Sequence, residues 1–440
     1  MTLALLGFSC ERKASSRKAI SQQSEALSEK GKQERLHLLL ITVDCLRYDR
    51  VGFGGYERQV SPHMDRLAKD GTVFTRAYSQ SGWTLPSLAT IHTGLYPRDH
   101  GAIDLDKAIH AYLPTLAERL SDAGYETLAY VSHTLCRPEY GLNRGFKIYD
   151  YSVIEQGHPH DISTSKEITD LALEGLSQVT GPFFLWIHYF DPHFYYMPHE
   201  GWEHFGTSPS DLYDQEVAYT DHHMGRLLQG LREKGLYDQT LIVLVSDHGE
   251  EFGEHGGNYH FTCFEEILRV PMVIRAPSLE DKEYPELAQQ IDLFPTILGF
   301  LNLPVDMDLP GRDLFGSGKE DGREPILFAE RHRPPGTYQR AVLRYPFKLI
   351  VVEKTGVEEI PSRDPALLAL LDSFHAGEFV YDLDADPEET RDLLTETDPE
   401  VMQSLRAALH EFSAGRVSVG QDLELSPQRR EDLRSLGYMN

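Results

Sequence analysis

The sequence predicts an α/β fold: a mostly parallel central sheet with helices on both faces, followed by a small C-terminal α+β subdomain with antiparallel strands. Over residues 36–325, segments with strand character alternate with segments of helical periodicity, an order typical of parallel sheets. From about Ile326, short strand-like segments follow one another directly, as in antiparallel sheets. We therefore divide the chain into a leader or tether at 1–35, a main domain at 36–325 and a C-terminal subdomain at 326–440.

Three almost uninterrupted apolar segments predict the strands at the centre of the sheet, namely 38–43, 183–187 and 241–245. Such segments suit strands that are buried on both faces of a parallel sheet. Each segment ends in acidic and histidine residues: Asp44 after the first, His188, Asp191 and His193 after the second, and Asp247 and His248 after the third. Because ligands of open α/β sheets bind beyond the carboxyl ends of the strands, this pattern predicts a convergent metal or phosphate-type site.

Amphipathic segments between these strands predict the helices. Met64, Leu67 and Ala68 have helical spacing, and Gly71 ends that helix. Further helices are expected at 113–124, 165–179, 213–240 and 399–413, and a further strand with His133 at its tip is expected at 127–131.

Residues 81–97, SGWTLPSLATIHTGLYP, combine a turn-prone beginning with small and apolar residues and predict one more helix. Pro86 suits the first turn of a helix, where a missing N–H group costs nothing. Thr84 is expected just before this helix, at an end that carries free N–H groups and a partial positive charge. Its hydroxyl can cap the helix or meet a negatively charged ester, and this segment alone leaves both interpretations open.

The net charge of −27 restricts the ligands of the protein. It argues against nucleic acid, and against binding to an anionic membrane through a basic face. It also means that an anionic substrate needs a local positive centre, such as a metal ion or a cluster of arginine and histidine. The cysteines show neither metal-ligand spacing nor a disulfide framework, so we interpret them by default as small buried residues; they are Cys10, Cys45, Cys136 and Cys263.

The chain begins with an apolar run, MTLALLGFSC, which is followed by a polar segment up to about Arg35. The run is too short to span a bilayer and lacks the basic region that begins a signal peptide. Its end at Ser9 and Cys10 resembles the end of a bacterial lipoprotein signal, although Gly7 stands where that signal prefers Leu. We expect a cell-envelope, periplasmic or extracellular protein, with a lipid anchor through Cys10 as one alternative.

Together, these segments resemble the sulfatase family within the alkaline-phosphatase-like superfamily, over about residues 36–438. In that family a Cys or Ser begins a C/S-x-P-S-R motif that leads into a helix ending in Thr-Gly. The matching segments are Thr84-Leu85-Pro86-Ser87 and Thr93-Gly94, and the metal motifs are matched by Asp44 and by Asp247-His248-Gly249. The tail segments QIDLFPTIL, YDLDADPEET and LRSLGY are similar as well.

Three departures from the family pattern bear on the chemistry. The family's modified residue, formylglycine, corresponds to Thr84, which that modification does not accept, so no formylglycine is expected. The Arg of the motif is Leu88, and the second Asp of the opening pair is Cys45. Other branches of the superfamily use Thr as the nucleophile, and some use a D-x-x-R opening, which Asp44 and Arg47 fit.

The resemblance implies one divalent metal ion, bound by Asp44, Thr84, Asp247 and His248. The oxygen ligands suit Ca²⁺, Mg²⁺ or Mn²⁺, and the imidazole favours Mn²⁺ or Zn²⁺. A metal-bound hydroxyl loses its proton more readily than a free one, which would activate Thr84 as a nucleophile.

The leaving group needs an acid. His193 is the first choice, because it matches the histidine of the family's Asp-Pro-His segment, and His260 is the second. His133 and Arg47 are expected to bind the anion; for Arg47 a surface ion pair is the alternative. Asp191, His193 and His260 could bind a second metal, as in the threonine-using phosphodiesterases, but we favour one metal.

We therefore expect a metal-dependent hydrolase that cleaves sulfate esters of alcohols or glycans through Thr84. A threonyl ester cannot be released as formylglycine releases sulfate, so water must attack sulfur or phosphorus. For this reason a hydrolase of phosphodiesters or phosphonate esters, or a phosphotransferase, remains an alternative. A non-catalytic binding protein is a third hypothesis, which the changes at Cys45 and Leu88 favour.

Overall fold

Strands and helices alternate along the chain as predicted. The computed structural model describes residues 35–155, 163–256, 258–260, 262–277, 279, 282–316, 325–332, 337–354, 376–415 and 420–435. Most of the predicted leader, including Cys10, lies outside the described residues, so the lipid anchor stays a prediction. His37–Asn440 forms one unit, and the boundary that we drew at residue 326 also stays a prediction.

In chain order the strands are β1 (His37–Val43), β2 (Thr72–Phe74), β3 (Ala77–Tyr78), β4 (Lys107–Ala108), β5 (Glu126–Val131), β6 (Ile148–Asp150), β7 (Phe183–Tyr189), β8 (Thr240–Ser246), β9 (Glu251–Phe252), β10 (Asn258–Tyr259), β11 (Met272–Arg275), β12 (Lys282–Tyr284), β13 (Ala288–Gln289), β14 (Leu327–Arg331), β15 (Thr337–Arg344), β16 (Phe347–Lys354), β17 (Gly377–Asp382) and β18 (Gln421–Asp422).

The α-helices are α1 (Pro62–Lys69), α2 (Thr84–Thr93), α3 (Pro97–His100), α4 (Leu116–Asp122), α5 (Ser165–Leu176), α6 (Pro209–Glu233), α7 (Glu265–Leu268), α8 (Leu293–Phe300), α9 (Pro399–Ala414) and α10 (Pro427–Ser435). None of the helices in the described part of the chain combines the length and apolar character that a membrane span requires.

The central sheet has the strand order β12-β2-β11-β8-β1-β7-β5-β6. Strand β1 lies in the middle and pairs in parallel with β7 on one side and β8 on the other. Within this sheet only β11, among its described strands, runs antiparallel to its neighbours, so the sheet is mostly parallel, as predicted. The register places Thr42 opposite His188 and Val43 opposite Ser246, which brings the carboxyl ends of three strands together at one edge.

Burial of β1 on both faces explains its continuous apolar sequence. Leu39, Ile41 and Val43 are fully buried in a cluster that includes residues of α1, α5 and α6. Leu38 and Leu40, which alternate with them, are equally buried. The burial of both faces confirms the prediction of a strand that is covered on each side.

Strands β14 to β17 form an antiparallel four-stranded sheet in the C-terminal part, as the sequence predicts. One face packs on α9, where Val342 and Leu349 meet Leu405. The other face packs against the main α/β region through Ile267 and Leu268 of α7. The sequence did not predict α10 or the pairing of the two-stranded sheets. Segments this short contain too few residues to show a recognisable hydrophobic periodicity.

Candidate active site

Acidic and histidine side chains converge at the carboxyl edge of the sheet. Asp44 follows β1 and Asp247 follows β8, and both carboxyl groups are fully buried. Neither oxygen of Asp44 accepts a hydrogen bond of ordinary geometry. Asp44 Oδ2 lies 3.5 Å from both His133 Nε2 and His188 Nε2, and Oδ1 lies 3.7 Å from His248 Nε2. Asp44 is thus the centre of a ring of imidazoles.

Backbone amides hold Asp247 so that one of its oxygens faces this ring. Its Oδ1 accepts hydrogen bonds from the N–H groups of Cys45, at 3.2 Å, and His248, at 2.7 Å. Its Oδ2 has no hydrogen-bond partner and lies 3.5 Å from His248 Nε2. Gln290 donates to the carbonyls of Ser246 and Asp247, which fixes the chain at this turn.

Gly249 completes the turn because the chain passes close to α7. A β-carbon at this position would lie 1.8 Å from the carbonyl oxygen of Glu266. Only glycine allows such an approach without moving α7. The third residue of the Asp247-His248-Gly249 motif is therefore required by packing, and the first two by the site.

Thr84 is the first residue of α2, and the extended Trp83 is the cap. The sequence predicts Thr84 just before the helix, whereas the helix begins one residue sooner, at Thr84 itself. Its hydroxyl makes no capping hydrogen bond and instead lies 3.3 Å from His248 Nε2, fully buried. Of the two interpretations that the sequence left open, the geometry favours a hydroxyl that faces the site.

His133 follows β5 and approaches Asp44 with a defined nitrogen. Its Nδ1 accepts a hydrogen bond from the backbone N–H of Leu135 at 2.8 Å. The proton of the neutral ring is therefore on Nε2, the nitrogen that faces Asp44. A site residue that we expected to bind an anion thus has a donor directed into the site.

His193 and His260 lie next to the ring of imidazoles. The two rings are 5.1 Å apart, and the ring of His260 is 4.6 Å from that of His248. His193 Nδ1 donates to the carbonyl of Phe194, and His260 Nδ1 lies 3.3 Å from Glu250 Oε1. Both candidates for the acid therefore belong to the same buried cluster as Thr84.

Arg47 is the one predicted site residue whose charged group points elsewhere. Its guanidinium pairs with Asp49 at 2.7 Å and with Glu254 at 2.6 Å, and it donates to the carbonyl of Glu250. These acids hold its pKa above the ordinary value, although burial opposes this shift. The geometry corresponds to the ion-pair alternative, and anion binding by Arg47 stays a prediction.

Cys45 and His188 also belong to the cluster, although the sequence assigns neither of them a role as ligand or catalyst. Cys45 Sγ lies 3.6 Å from His260 Nδ1 and 3.9 Å from His248 Nδ1. Its φ of 55° turns the chain sharply after Asp44. The position of His188 at the end of an apolar run placed it near the predicted site, but this signal does not assign a role. For Cys45, the sequence indicates a place near the site only through its position directly after Asp44.

Burial shifts the pKa values of this cluster towards neutral groups. It raises the pKa of Asp44 and of Asp247 well above the ordinary value, and the charge of each neighbouring acid adds to the effect. It lowers the pKa of His248 well below the ordinary value and that of His260 to about 3. Two carboxyl groups in such a place need a cation, because burial of unpaired charge is costly.

Several sets of side chains in the cluster could bind a divalent metal. Their ligand atoms lie within 4.8 Å of one another in three buried groups: Asp44 with His188 and Asp247, Asp44 with Cys45 and His248, and Cys45 with His193 and His260. The hydrogen-bond acceptors without partners on Asp44 and Asp247 fit a metal ion. Asp44, Asp247 and His248 occur among these groups, and their assignment with Thr84 as the ligands of one ion stays a prediction.

The chain is similar to known sulfatases in both sequence and fold. The sequence profile of the Sulfatase family matches residues 37–303. The N-acetylglucosamine-6-O-sulfatase of Bacteroides thetaiotaomicron is 23% identical over an alignment of 493 positions, with 85% of each chain covered.

Two solved structures share the fold. The phosphonate monoester hydrolase of Agrobacterium radiobacter superposes with a TM-score of 0.71 at 20% identity, covering 90% of this chain and 99% of that one. Another structure, in complex with its substrate D-glucosamine-2-N,6-O-disulfate, gives a TM-score of 0.69 at 18% identity, covering 87% of this chain and 98% of that one. The profile match spans more than half of this chain. The chain therefore belongs to the sulfatase family.

Proposed function

We propose that the protein is a metal-dependent hydrolase that cleaves sulfate esters with Thr84 as its nucleophile. The observation that carries this proposal is the position of the Thr84 hydroxyl. It does not cap its helix, it is fully buried, and it lies 3.3 Å from His248 Nε2, beside Asp44 and Asp247. A hydroxyl with only a structural role would satisfy itself on the helix backbone.

Asp44, Asp247 and His248 would hold the metal together with Thr84. When bound, a divalent ion would supply the positive charge that favours the deprotonated hydroxyl and balances the anionic ester. Without a cation, burial raises the pKa of both carboxyl groups. These donors and their surroundings support a site that is completed by a metal.

The residues of the chain then account for the bonds that form and break. Thr84 Oγ1 gives its proton to solvent and attacks sulfur, and the bond from sulfur to the alcohol oxygen breaks. The departing oxygen takes a proton from Nε2 of His193, or in the second choice from His260. His133 Nε2–H faces the place of the anion and can donate to an ester oxygen. Water then attacks sulfur and the bond from sulfur to Thr84 Oγ1 breaks; one proton of the water returns to the histidine, the threonine oxygen takes up a proton from solvent, and sulfate is released.

His193 is suited to the acid role because its Nδ1 proton is engaged by the carbonyl of Phe194. Proton exchange is thereby assigned to Nε2. Burial lowers the pKa of His260 to about 3, so its ring is neutral at pH 7. A neutral ring is a weaker acid for the leaving group. For this reason we retain His193 as the first choice.

A phosphodiester or phosphonate ester is the second candidate substrate. A threonyl ester lacks the hemiacetal route by which formylglycine releases sulfate, so the chemistry requires attack of water on the central atom. That step is equally available to phosphorus. The fold resemblance to the phosphonate monoester hydrolase of Agrobacterium radiobacter supports this alternative. A phosphotransferase differs only in that an acceptor alcohol replaces water.

The proposal can be tested with paired aryl sulfate, phosphate monoester, phosphodiester and phosphonate substrates. We expect one ester to be hydrolysed by wild type only after metal is added back to chelated protein. Thr84→Ala should lower kcat on the order of 10³-fold or more. Thr90→Ala is a matched control, because Thr90 lies in the same buried helix but contacts His100 instead of the site.

Equal turnover by wild type and Thr84→Ala would overturn the nucleophile assignment. In that case Thr84 only begins a helix, and a binding protein becomes the better interpretation. If a phosphorus ester is preferred to the aryl sulfate, the second candidate replaces the first. Product analysis with added alcohol distinguishes transfer from hydrolysis.

A further inference from the structure

We propose that His188 is a further ligand of the metal site, and that the site therefore selects a transition-metal dication such as Zn²⁺ or Mn²⁺ over Ca²⁺ and Mg²⁺. This inference rests on the proposed metal dependence and specifies which class of ion the site takes. His188 lies in β7, and the reaction proposed above assigns it no role.

The buried ligand atoms of Asp44, His188 and Asp247 lie within 4.8 Å of one another, and His248 lies next to both carboxyl groups. His188 Nε2 lies 3.5 Å from Asp44 Oδ2. His248 Nε2 lies 3.7 Å from Asp44 Oδ1 and 3.5 Å from Asp247 Oδ2. Two ligands bound at about 2.0–2.1 Å from a tetrahedral ion are separated by about 3.3 Å. The observed distances are slightly larger, as expected before the ligands close on an ion.

Hydrogen bonding leaves the relevant atoms available. Asp44 Oδ1 and Oδ2, Asp247 Oδ2 and His188 Nε2 are all buried and have no hydrogen-bond partner. Each of the three side chains is fully buried, so water from the surface does not satisfy them. These atoms belong to three side chains whose ligand atoms lie within 4.8 Å of one another, and a shared cation explains them better than separate defects do.

A second layer of hydrogen bonds fixes the orientation of His188. Trp186 Nε1–H donates to Thr42 Oγ1 at 2.9 Å, and Thr42 Oγ1 lies 2.8 Å from His188 Nδ1 and 3.4 Å from the carbonyl of Ile187. If Thr42 donates to Ile187, its oxygen accepts the proton of His188 Nδ1. The lone pair of His188 is then on Nε2, which faces Asp44.

The opposite tautomer gives a long contact to Asp44. If Thr42 donated to His188 Nδ1, the proton would be on Nε2 and would face Asp44 Oδ2 at 3.5 Å. A hydrogen bond from nitrogen to a carboxylate is normally 2.7–2.9 Å. His133 Nε2–H faces the same oxygen at 3.5 Å, so this distance does not choose the tautomer; binding of a metal ion by His188 requires the lone pair on Nε2.

His92 shows what a purely structural histidine looks like in the same neighbourhood. It is fully buried, and its ring lies 4.2 Å from that of Trp186. Its remaining ring neighbour is Phe146 at 6.2 Å, and within the described residues no acid pairs with it. His92 thus packs among aromatic rings, whereas His188 presents a nitrogen to two carboxyl groups.

The second imidazole decides the class of ion. Spacing alone does not, because the longer bonds of Ca²⁺ give similar separations in a larger coordination shell. A set of two carboxylates and two imidazoles suits Zn²⁺ and Mn²⁺, whereas Ca²⁺ and Mg²⁺ favour oxygen ligands throughout.

The experiment measures metal binding directly on the full chain after removal of metal with a chelator. Competition with a chromophoric chelator should give Zn²⁺ and Mn²⁺ affinities at least about 10²-fold above those of Ca²⁺ and Mg²⁺. His188→Asn keeps an amide donor for Thr42 but removes the ε-nitrogen. Since loss of an outer-shell partner already costs about 10–100-fold, this variant should lose at least about 10²-fold in Zn²⁺ affinity. His92→Phe is the matched control and should bind Zn²⁺ as wild type does.

X-ray absorption by the Zn²⁺-loaded wild type gives a measurement that needs no variant, and two imidazoles should be counted. One imidazole, or equal Zn²⁺ affinity in wild type and His188→Asn, overturns the role of His188 and leaves the proposed function standing. If wild type binds no divalent ion more tightly than Asp44→Asn does, the metal dependence itself fails, and with it both proposals.

Discussion

Two groups of buried charges in this chain are balanced in opposite ways. In the active-site cluster, Asp44 and Asp247 face imidazoles, and within the described residues neither forms an ion pair with a lysine or an arginine. In the C-terminal part, buried Lys348 lies 3.1 Å from Glu265 Oε1 and 3.0 Å from Glu389 Oε1. The second group carries its own cation, and the first does not.

The remaining oxygens of the C-terminal group are satisfied by the protein as well. Tyr78 donates its hydroxyl proton to Glu265 Oε2, and the backbone N–H of Glu265 donates to Glu389 Oε2. Burial alone would lower the pKa of Lys348, but the charges of Glu389 and Glu265 raise it above its ordinary value. Each acid of the C-terminal group is thus paired with a buried cation of the chain, which indicates a structural role, whereas acids without such a cation indicate a site for a ligand.

The largest expected effect comes from removing the charge of Asp44. Asp44→Asn should lower kcat/KM on the order of 10³-fold, because the metal loses a central ligand. In chelated protein the same change should raise the free energy of unfolding by about 1–3 kcal/mol, because wild-type Asp44 must either bury its charge or take up a proton, and asparagine does neither. Turnover and denaturant unfolding in the presence of chelator test the two parts.

The sign of the change in unfolding free energy decides this prediction. If chelated Asp44→Asn is less stable than chelated wild type, the chain itself balances the charge of Asp44, and the contrast with Lys348 disappears. Added metal supplies the internal control, because it should stabilise wild type by mass action and the variant much less.

Removal of the cation in the other group should have the opposite result. Lys348→Met leaves Glu265 and Glu389 buried without a cation and should cost about 3–5 kcal/mol of unfolding free energy. Metal affinity at the active site should change by less than about threefold, since Lys348 contacts none of its residues. Denaturant unfolding and chelator competition measure the two quantities.

A combined variant shows whether charge is the cause. Lys348→Met with Glu265→Gln and Glu389→Gln should recover much of the lost stability, because no unpaired charge remains. Failure to recover would assign the loss to packing around the lysine stem. The buried lysine would then no longer be the counterpart of the active-site cluster.

The sequence was sufficient for the fold and for the residues that end strands. Apolar runs buried on two faces are recognisable without tertiary information, and the turn to polar residues after them located Asp44, Asp247 and His248. The predicted strand at 183–187 was two residues short, since β7 extends to Tyr189. His188 therefore lies inside the strand, opposite Thr42, and this register is a tertiary fact.

Other parts of the site depend on contacts between residues that are far apart in the sequence, and these contacts cannot be read from the sequence alone. Arg47 meets Glu254 across more than two hundred positions, so only its pairing with nearby Asp49 was foreseeable. The side chain of Cys45 is directed at His260 by a φ of 55°, which no pattern of residue types indicates. The sequence left open whether the Thr84 hydroxyl caps α2 or faces an ester, and it placed Thr84 just before the helix; the extended Trp83 takes that place instead.

Glu330 of β14 is a further buried acid that the protein pairs internally, and we expect its removal to have the smallest effect, one that changes gradually with pH. It pairs with Arg98 at 3.2 Å and accepts a hydrogen bond from Tyr338 at 2.6 Å. Burial alone would raise its pKa, but His332, Arg98 and Tyr338 lower it from 4.5 to about 2. Because the folded-state pKa is depressed, its contribution to stability is complete above the unfolded value and is lost as pH falls through about 2.

At pH 6, Glu330→Gln should cost about 3 kcal/mol, and by pH 2 the titrating part of this cost should shrink to a few tenths of a kcal/mol. Glu378→Gln, at a partly exposed pair with Arg406, should cost less than about 1 kcal/mol at any pH. Asp44 should behave oppositely in chelated protein, because a raised pKa makes its charge destabilising as pH rises above about 4. If wild type and Asp44→Asn show the same pH dependence without metal, the active-site carboxyl is balanced after all, and the two groups of buried charge do not differ in kind.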